Sequence, residues 1–239
     1  MTASTPKRPP TPPRTCIPRE TCTFFRDLAH NNRKEWMDAN RDRYRQHAVE
    51  PLREFLDALT PSILALDSRF VITGKTGVNF SRINRDIRFA KDKTPYYTRI
   101  YIIFPDSVEA EGAQLYIGIH PHAITAGFRI YGGPNVKKSP LGMIGHPRAA
   151  KNGRWLVSQK RRLGRKYESY WHSMEKGVWK KNPGWPEAPE DWARVRAWIV
   201  RREIRATVAT RAGLLREVVG IFRDVAPLCR FISSPKWRP

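Results

Sequence analysis

Three short runs between residues 99 and 131 constrain the fold more than any other feature: residues 99–104 (RIYIIF), 114–120 (QLYIGIH) and 123–131 (AITAGFRIY). Each is rich in β-branched and aromatic residues and too short for a helix buried on one stripe, so each reads as a strand. His120, Pro121 and His122 form the turn between the last two, and the polar residues 106–112 separate the first two. Such short connections join antiparallel neighbours, because a parallel pair needs a long crossover. A further run at 78–89 alternates as well and is expected to be a fourth strand. The economical architecture is α+β: a mainly antiparallel sheet of about four strands, packed by helices from both ends of the chain.

Those helices are legible in the apolar spacing. Phe24, Phe25 and Leu28 give a short amphipathic helix that ends near Asn31 and Asn32, and Trp36, Met37, Asn40 and Tyr44 give a second. Leu52, Phe55, Leu56, Leu59, Ile63 and Leu66 continue on one stripe after a break at Pro51. Late in the chain, the stripe of Trp192, Val195, Trp198 and Ile199 and that of Ile204, Val208, Leu214, Leu215, Val218 and Phe222 predict two helices ending at Pro227. Residues 1–20 hold six prolines among Thr, Lys and Arg, a composition that cannot pack a core, and are expected to be a disordered basic arm. Residues 21–232 are expected to form one domain, with 140–232 as its basic helical part, and 233–239 a frayed tail.

Residues 81–98, SRINRDIRFAKDKTPYYT, hold the densest mixture of cations, acids and aromatics. Five cations, Arg82, Arg85, Arg88, Lys91 and Lys93, surround Asp86 and Asp92. The group suits a bound anion, but an internal Arg–Asp lattice joining sheet to helices has the same composition. The pattern R-I-x-R-D-x-R-F-x-x-D-K-x-P-Y, from Arg82 to Tyr96, resembles the signature of the family called domain of unknown function 2461. The opening F-F-x-x-L-x-x-N-N-x-x-x-W from Phe24 to Trp36, and the hairpin with its Gly-rich exit at 116–134, are similar to that family too. The resemblance covers residues 22–139 well and the part up to about residue 232 loosely, and it implies no particular activity.

The chain carries 44 Lys and Arg against 22 Asp and Glu, a formal charge of +22, with 24 basic and 8 acidic residues falling in 137–239. A charge this large favours a polyanionic partner, nucleic acid or another, and equally serves as a solubilising surface. Within 151–181, Lys160, Arg161, Arg162, Arg165 and Lys166 would form one cationic ridge on a helix, with Tyr170 and Trp171 offering stacking faces for bases. The competing reading has the aromatics in the core and the cations in water.

Two functions of different class follow. One is a nucleic-acid or polyanion-binding module using the ridge. The other is an enzyme for a phosphorylated or carboxylated small molecule, with Arg82, Arg85, Arg88, Lys91 and Lys93 around the anion and Asp86 or His120 moving a proton. A third, structural reading pairs the 82–93 cluster internally and gives the basic surface to a protein partner. The three cysteines, Cys16, Cys22 and Cys229, lack C-x-x-C spacing, and His120 and His122 have no further ligand at a recognisable spacing, so no metal and no cofactor is expected. Without an apolar run of about 20 residues or a signal-peptide core, the expectation is a cytoplasmic protein with no membrane association. Oligomeric state is not legible.

Overall fold

The computed structural model of the chain describes residues 15–105, 113–131, 148–149, 151–205, 210–233 and 237. Most of the expected N-terminal arm, the 106–112 loop, the Gly-rich exit at 132–134 and the tail beyond 233, apart from Trp237, lie outside those residues.

Six strands form one antiparallel sheet: β1 (Ile100–Pro105), β2 (Gln114–Ile119), β3 (Ala123–Tyr131), β4 (Glu168–Glu175), β5 (Val178–Pro183) and β6 (Ala197–Arg205). Their spatial order is β1-β2-β3-β6-β4-β5. Four helical segments precede the sheet: α1 (Arg19–His30), α2 (Lys34–Ala39), α3 (Arg41–Tyr44) and α4 (Glu50–Leu66). A wide π turn, Arg45–Val49, leads from α3 into α4, whose first turn holds Pro51, where a missing N–H costs nothing. Downstream come α5 (Gly153–Leu163), the short α6 (Pro189–Arg194) and α7 (Leu214–Ser233).

The sheet has two unlike faces, because successive side chains alternate. Ile102, Phe104, Ile117, Ile124, Phe128, Trp198, Val200 and Ile204 point to one side and are buried. Helix α7 covers them with Val218, Phe222 and Val225, Phe222 meeting Phe104 edge-on at 5.6 Å, and α4 packs on α7. Three indoles gather at the β6 end: Trp185 and Trp192 both meet Trp198 edge-on, at 4.9 and 5.1 Å. The opposite face carries Tyr101, Tyr116, Arg129, Tyr170, His172 and Arg201, and no helix covers it among the described residues.

The α+β class and the three runs at 99–131 stand as read; the strand count does not. The fourth expected strand, 78–89, makes only single-residue bridges, Phe80 to Thr76 and to Ile102, and Asn84 to Tyr96. Asp86 closes a turn on its own backbone instead, its Oδ1 accepting from the Arg88 N–H at 3.2 Å, and just beyond the run Asp92 Oδ1 accepts from the Thr94 N–H at 2.9 Å. Such local bonds compete with a ladder, and Phe89, at the end of the run, is 96% exposed.

Strands β4, β5 and β6 went unread. Helix α5 stops at Gly164, whose φ of +55° is open to glycine, so Arg165 and Lys166 fall in a tight turn instead of extending the ridge. The stripe assigned to a helix through Trp198 and Ile199 is split between α6 and β6. The second late helix begins at Leu214, not near Ile204, and runs past Pro227 to Ser233, because Leu228, Cys229, Phe231 and Ile232 continue its buried stripe.

Candidate functional site

The uncovered sheet face is the floor of a cleft of about 1160 Å³, walled by residues 77–88 and 97–99. Register explains how its floor is assembled. Tyr116 lies opposite Gly127, Gly127 opposite Arg201, and Arg129 opposite Ile199, which in turn faces Tyr170. Gly127 is where β3 and β6 come too close for a side chain: a Cβ there would lie 2.2 Å from the Val200 carbonyl oxygen. Gly118, opposite Tyr101, leaves room for that ring, since a Cβ would meet it at 2.7 Å.

The wall is fastened at three points. Asn79, fully buried, accepts from the N–H groups of Thr73 and Gly74 at 2.7 and 2.9 Å and donates to the carbonyls of Val71 and Ile103 at 2.8 and 2.9 Å, tying residues 71–80 to β1. Gly74 and Gly77, at φ of +66° and +91°, allow the turn around it. The Asn32 amide exchanges two hydrogen bonds with the Tyr96 backbone, at 2.8 and 3.0 Å. Ser81 Oγ accepts from the Tyr101 N–H at 2.9 Å.

Arg129 occupies the middle of the floor. Its Nε donates to Gln114 Oε1 at 3.0 Å, and its guanidinium lies 5.0 Å and 5.2 Å from the Tyr101 and Tyr116 ring centres. Burial pulls its basicity down, yet an arginine stays charged. Arg99 reaches in from the edge, donating through Nε to Tyr101 Oη at 3.0 Å and lying over Tyr97. No carboxylate among the described residues pairs with Arg129 or Arg99. Arg201, by contrast, is bonded to Glu168 at 2.8 Å and lies over Tyr170. Burial pushes the Tyr116 and Tyr170 phenols up, so both stay protonated donors. His172, between Tyr170 and Trp179, has a buried Nδ1 with no hydrogen-bond partner, and burial, then the Lys181 charge, holds the imidazole below its ordinary pKa.

The residues singled out in the sequence separate into groups. Arg82, Arg85, Asp86 and Arg88 do line the cleft, at its rim. Arg85 is engaged by Asp92, at 2.7 Å, and by the Thr94 carbonyl and hydroxyl. Arg88 pairs with Asp86 at 2.7 Å, and Lys93 donates to the Ile87 carbonyl at 3.0 Å. Arg82 and Lys91 are exposed, and neither has a carboxylate partner among the described residues. Asp86 is held at about 2 by the hydrogen bond from the Arg88 side chain, then by the Arg88 N–H, and at that value it is a weak base. His120 stands behind Tyr101, ring centres 6.0 Å apart, with Nε2 3.4 Å from Thr125 Oγ1, and does not line the cleft. Burial, with Arg99 and Arg201 nearby, lowers it to about 4.

The ridge lies on the other side of the molecule, where α5 packs on α7 through Trp155 and Phe231, stacked at 4.7 Å. Lys160 pairs with Glu187, and Arg162 with Asp224 at 3.8 Å. Arg161, Arg165 and Lys166 are exposed. Trp171 is in the core, closed to a stacking base, while Tyr170, on the opposite face of β4, belongs to the cleft. Among the described residues no three His, Cys, Asp or Glu side chains gather as a metal site, and no helix is long and apolar enough to cross a membrane.

Sequence reasoning missed Arg99, Tyr101, Tyr116, Arg129, His172 and Arg201. A signal existed: in AITAGFRIY Arg129 is the one charged residue of the run, and in WIVRREIR Arg201 follows three apolar residues, so that strand alternation places each charge on one face of a central strand.

Fold and cleft together define an α+β protein with one sheet face built as a core and the other as a cationic, aromatic-lined surface. The chain belongs to the family described as conserved hypothetical protein (DUF2461), whose model matches residues 20–231. No curated protein matches it.

Proposed function

We propose that this chain binds a small phosphorylated or carboxylated molecule in the cleft over the sheet. The observation that carries the reading is Arg129: a guanidinium in the middle of the floor, flanked by two tyrosines, with no carboxylate partner among the described residues. Withdrawing a cation from water is costly unless an anion meets it, and a bound ligand supplies that anion. The 82–93 cluster then acts mainly as the wall, its own ion pairs fixing the loop. A proton transfer at this site would fall to His172, the neutral group with an unpartnered ring nitrogen in the lining, in place of Asp86.

Thermal unfolding in the presence of a panel of organic carboxylates and phosphate esters tests this. A ligand at about 100 times its Kd stabilises the folded state by about 2.7 kcal/mol. The stabilisation should vanish in Arg129→Gln and survive in R161E/R162E/R165E. A panel in which no anion raises the Tm would sink the reading.

A second reading, binding of nucleic acid or another polyanion, draws on the exposure of Arg161, Arg165 and Lys166 and on the net charge of +22. It requires binding of DNA or RNA that weakens steeply with salt, by release of counterions, and that the ridge variant abolishes while Arg129→Gln does not.

A further inference from the structure

The reading of the cleft as an anion site leaves the kind of anion open, and the charges around it narrow the choice. Six arginines line the cleft. Three are each bonded to a carboxylate: Arg85 to Asp92, Arg88 to Asp86 and Arg201 to Glu168. Arg82, Arg99 and Arg129 have no carboxylate among the described residues. A monoanion would neutralise one of these three and leave Arg99 and Arg129 sharing a single charge.

The hydrogen-bonding capacity runs the same way. Gln114 takes the Nε of Arg129, and the two terminal nitrogens of that guanidinium make no hydrogen bond among the described residues. Tyr101 Oη accepts from Arg99, so its own proton is directed elsewhere. Tyr116, kept protonated by burial, is a further donor. Arg129, Tyr101 and Tyr116 therefore leave the floor several unspent donors, which suits a tetrahedral group with three terminal oxygens better than a flat carboxylate. Tyr97, Tyr101 and Tyr170 also line the cleft, each with an arginine over its ring, and give it aromatic walls for the rest of the ligand.

Resting on the proposed anion site, we infer that the ligand is a phosphate monoester bound as its dianion, with a planar or aromatic organic part against the tyrosines. Isothermal titration of the full chain at about pH 7.5, where a phosphate monoester with a second pKa of about 6 is largely dianionic, tests it with three probes: phenyl phosphate, phenyl sulfate and benzoate. The sulfate keeps the tetrahedral shape and removes one charge. Phenyl phosphate should bind about tenfold more tightly than phenyl sulfate, and the ratio should shrink toward one in Arg129→Gln and, separately, in Arg99→Gln. The second variant lies at the strand edge and keeps the test usable should Arg129→Gln fold poorly. Equal affinity for sulfate and phosphate, or tighter binding of benzoate, would overturn the dianion inference while leaving an anion site in place, provided the arginine variants lose that binding. Failure of all three probes to bind would overturn both.

Discussion

Replacing Asn79 by alanine should damage the protein out of proportion to the size of the change. Asn79 is fully buried and its side chain serves four main-chain groups, the Thr73 and Gly74 N–H and the Val71 and Ile103 carbonyls. A net loss of about 1 kcal/mol for each bond is ordinary, and more where a buried group is left without a partner. Water entering the space recovers part of this, so the expected loss is about 3 kcal/mol. For a domain of this size that corresponds to a Tm lower by about 6–12 °C. Asn79→Asp should be no better: the carboxylate still accepts from Thr73 and Gly74 but faces the Val71 and Ile103 carbonyls with no proton to donate. Urea unfolding measures the effect, with the exposed Asn84→Ala as a control expected to stay within about 0.5 kcal/mol of the parent. A loss below about 1 kcal/mol for Asn79→Ala, with an unchanged m-value, would refute the argument that this side chain holds the wall.

Gly127→Ala should cost more than about 3 kcal/mol or prevent folding, because the new methyl group would sit 2.2 Å from the Val200 carbonyl oxygen and both strands lie inside the sheet; thermal unfolding checks it. His120 makes stability depend on pH. Its folded value of about 4 lies below the ordinary 6.5, so between the two the unfolded chain holds a proton that the folded one lacks, and stability falls as the pH drops from 6.5 to 4. Allowing for its partial exposure, the loss is about 2 kcal/mol, and His120→Gln should flatten that part of the profile. Phenyl phosphate affinity should fall several-fold in Asn79→Ala even where the variant is folded, since Gly77 and Phe80 belong to the wall it ties down.

The sequence made the N-terminal helices and the β2–β3 hairpin legible because their apolar periods are long or their turns unambiguous. It misled at 78–89, where Asp86 spends an oxygen on its own backbone, as Asp92 does just beyond, so that alternating residues do not become a strand. It misled again at 168–205, where Tyr170, Trp171, Trp198 and Ile199 fit a helical stripe as well as a strand over so short a span. The site suffered most. The 82–93 cluster drew attention by its density, yet density brought internal partners: Arg85 and Arg88 are occupied by Asp92 and Asp86. Arg129 is inconspicuous in sequence, a single charge in an apolar strand. That it lacks a carboxylate partner among the described residues emerges only once the six strands are placed in order.

The most direct test is crystallographic: crystals of the full chain soaked in tungstate, a heavy tetrahedral dianion, and the anomalous difference map examined. The account expects the principal peak on the sheet face within hydrogen-bond reach of Arg129, with Arg99 and Tyr101 beside it. A principal peak at Arg161 and Arg165 on α5 and its exit turn, with none at Arg129, would contradict it and shift the case to the basic ridge.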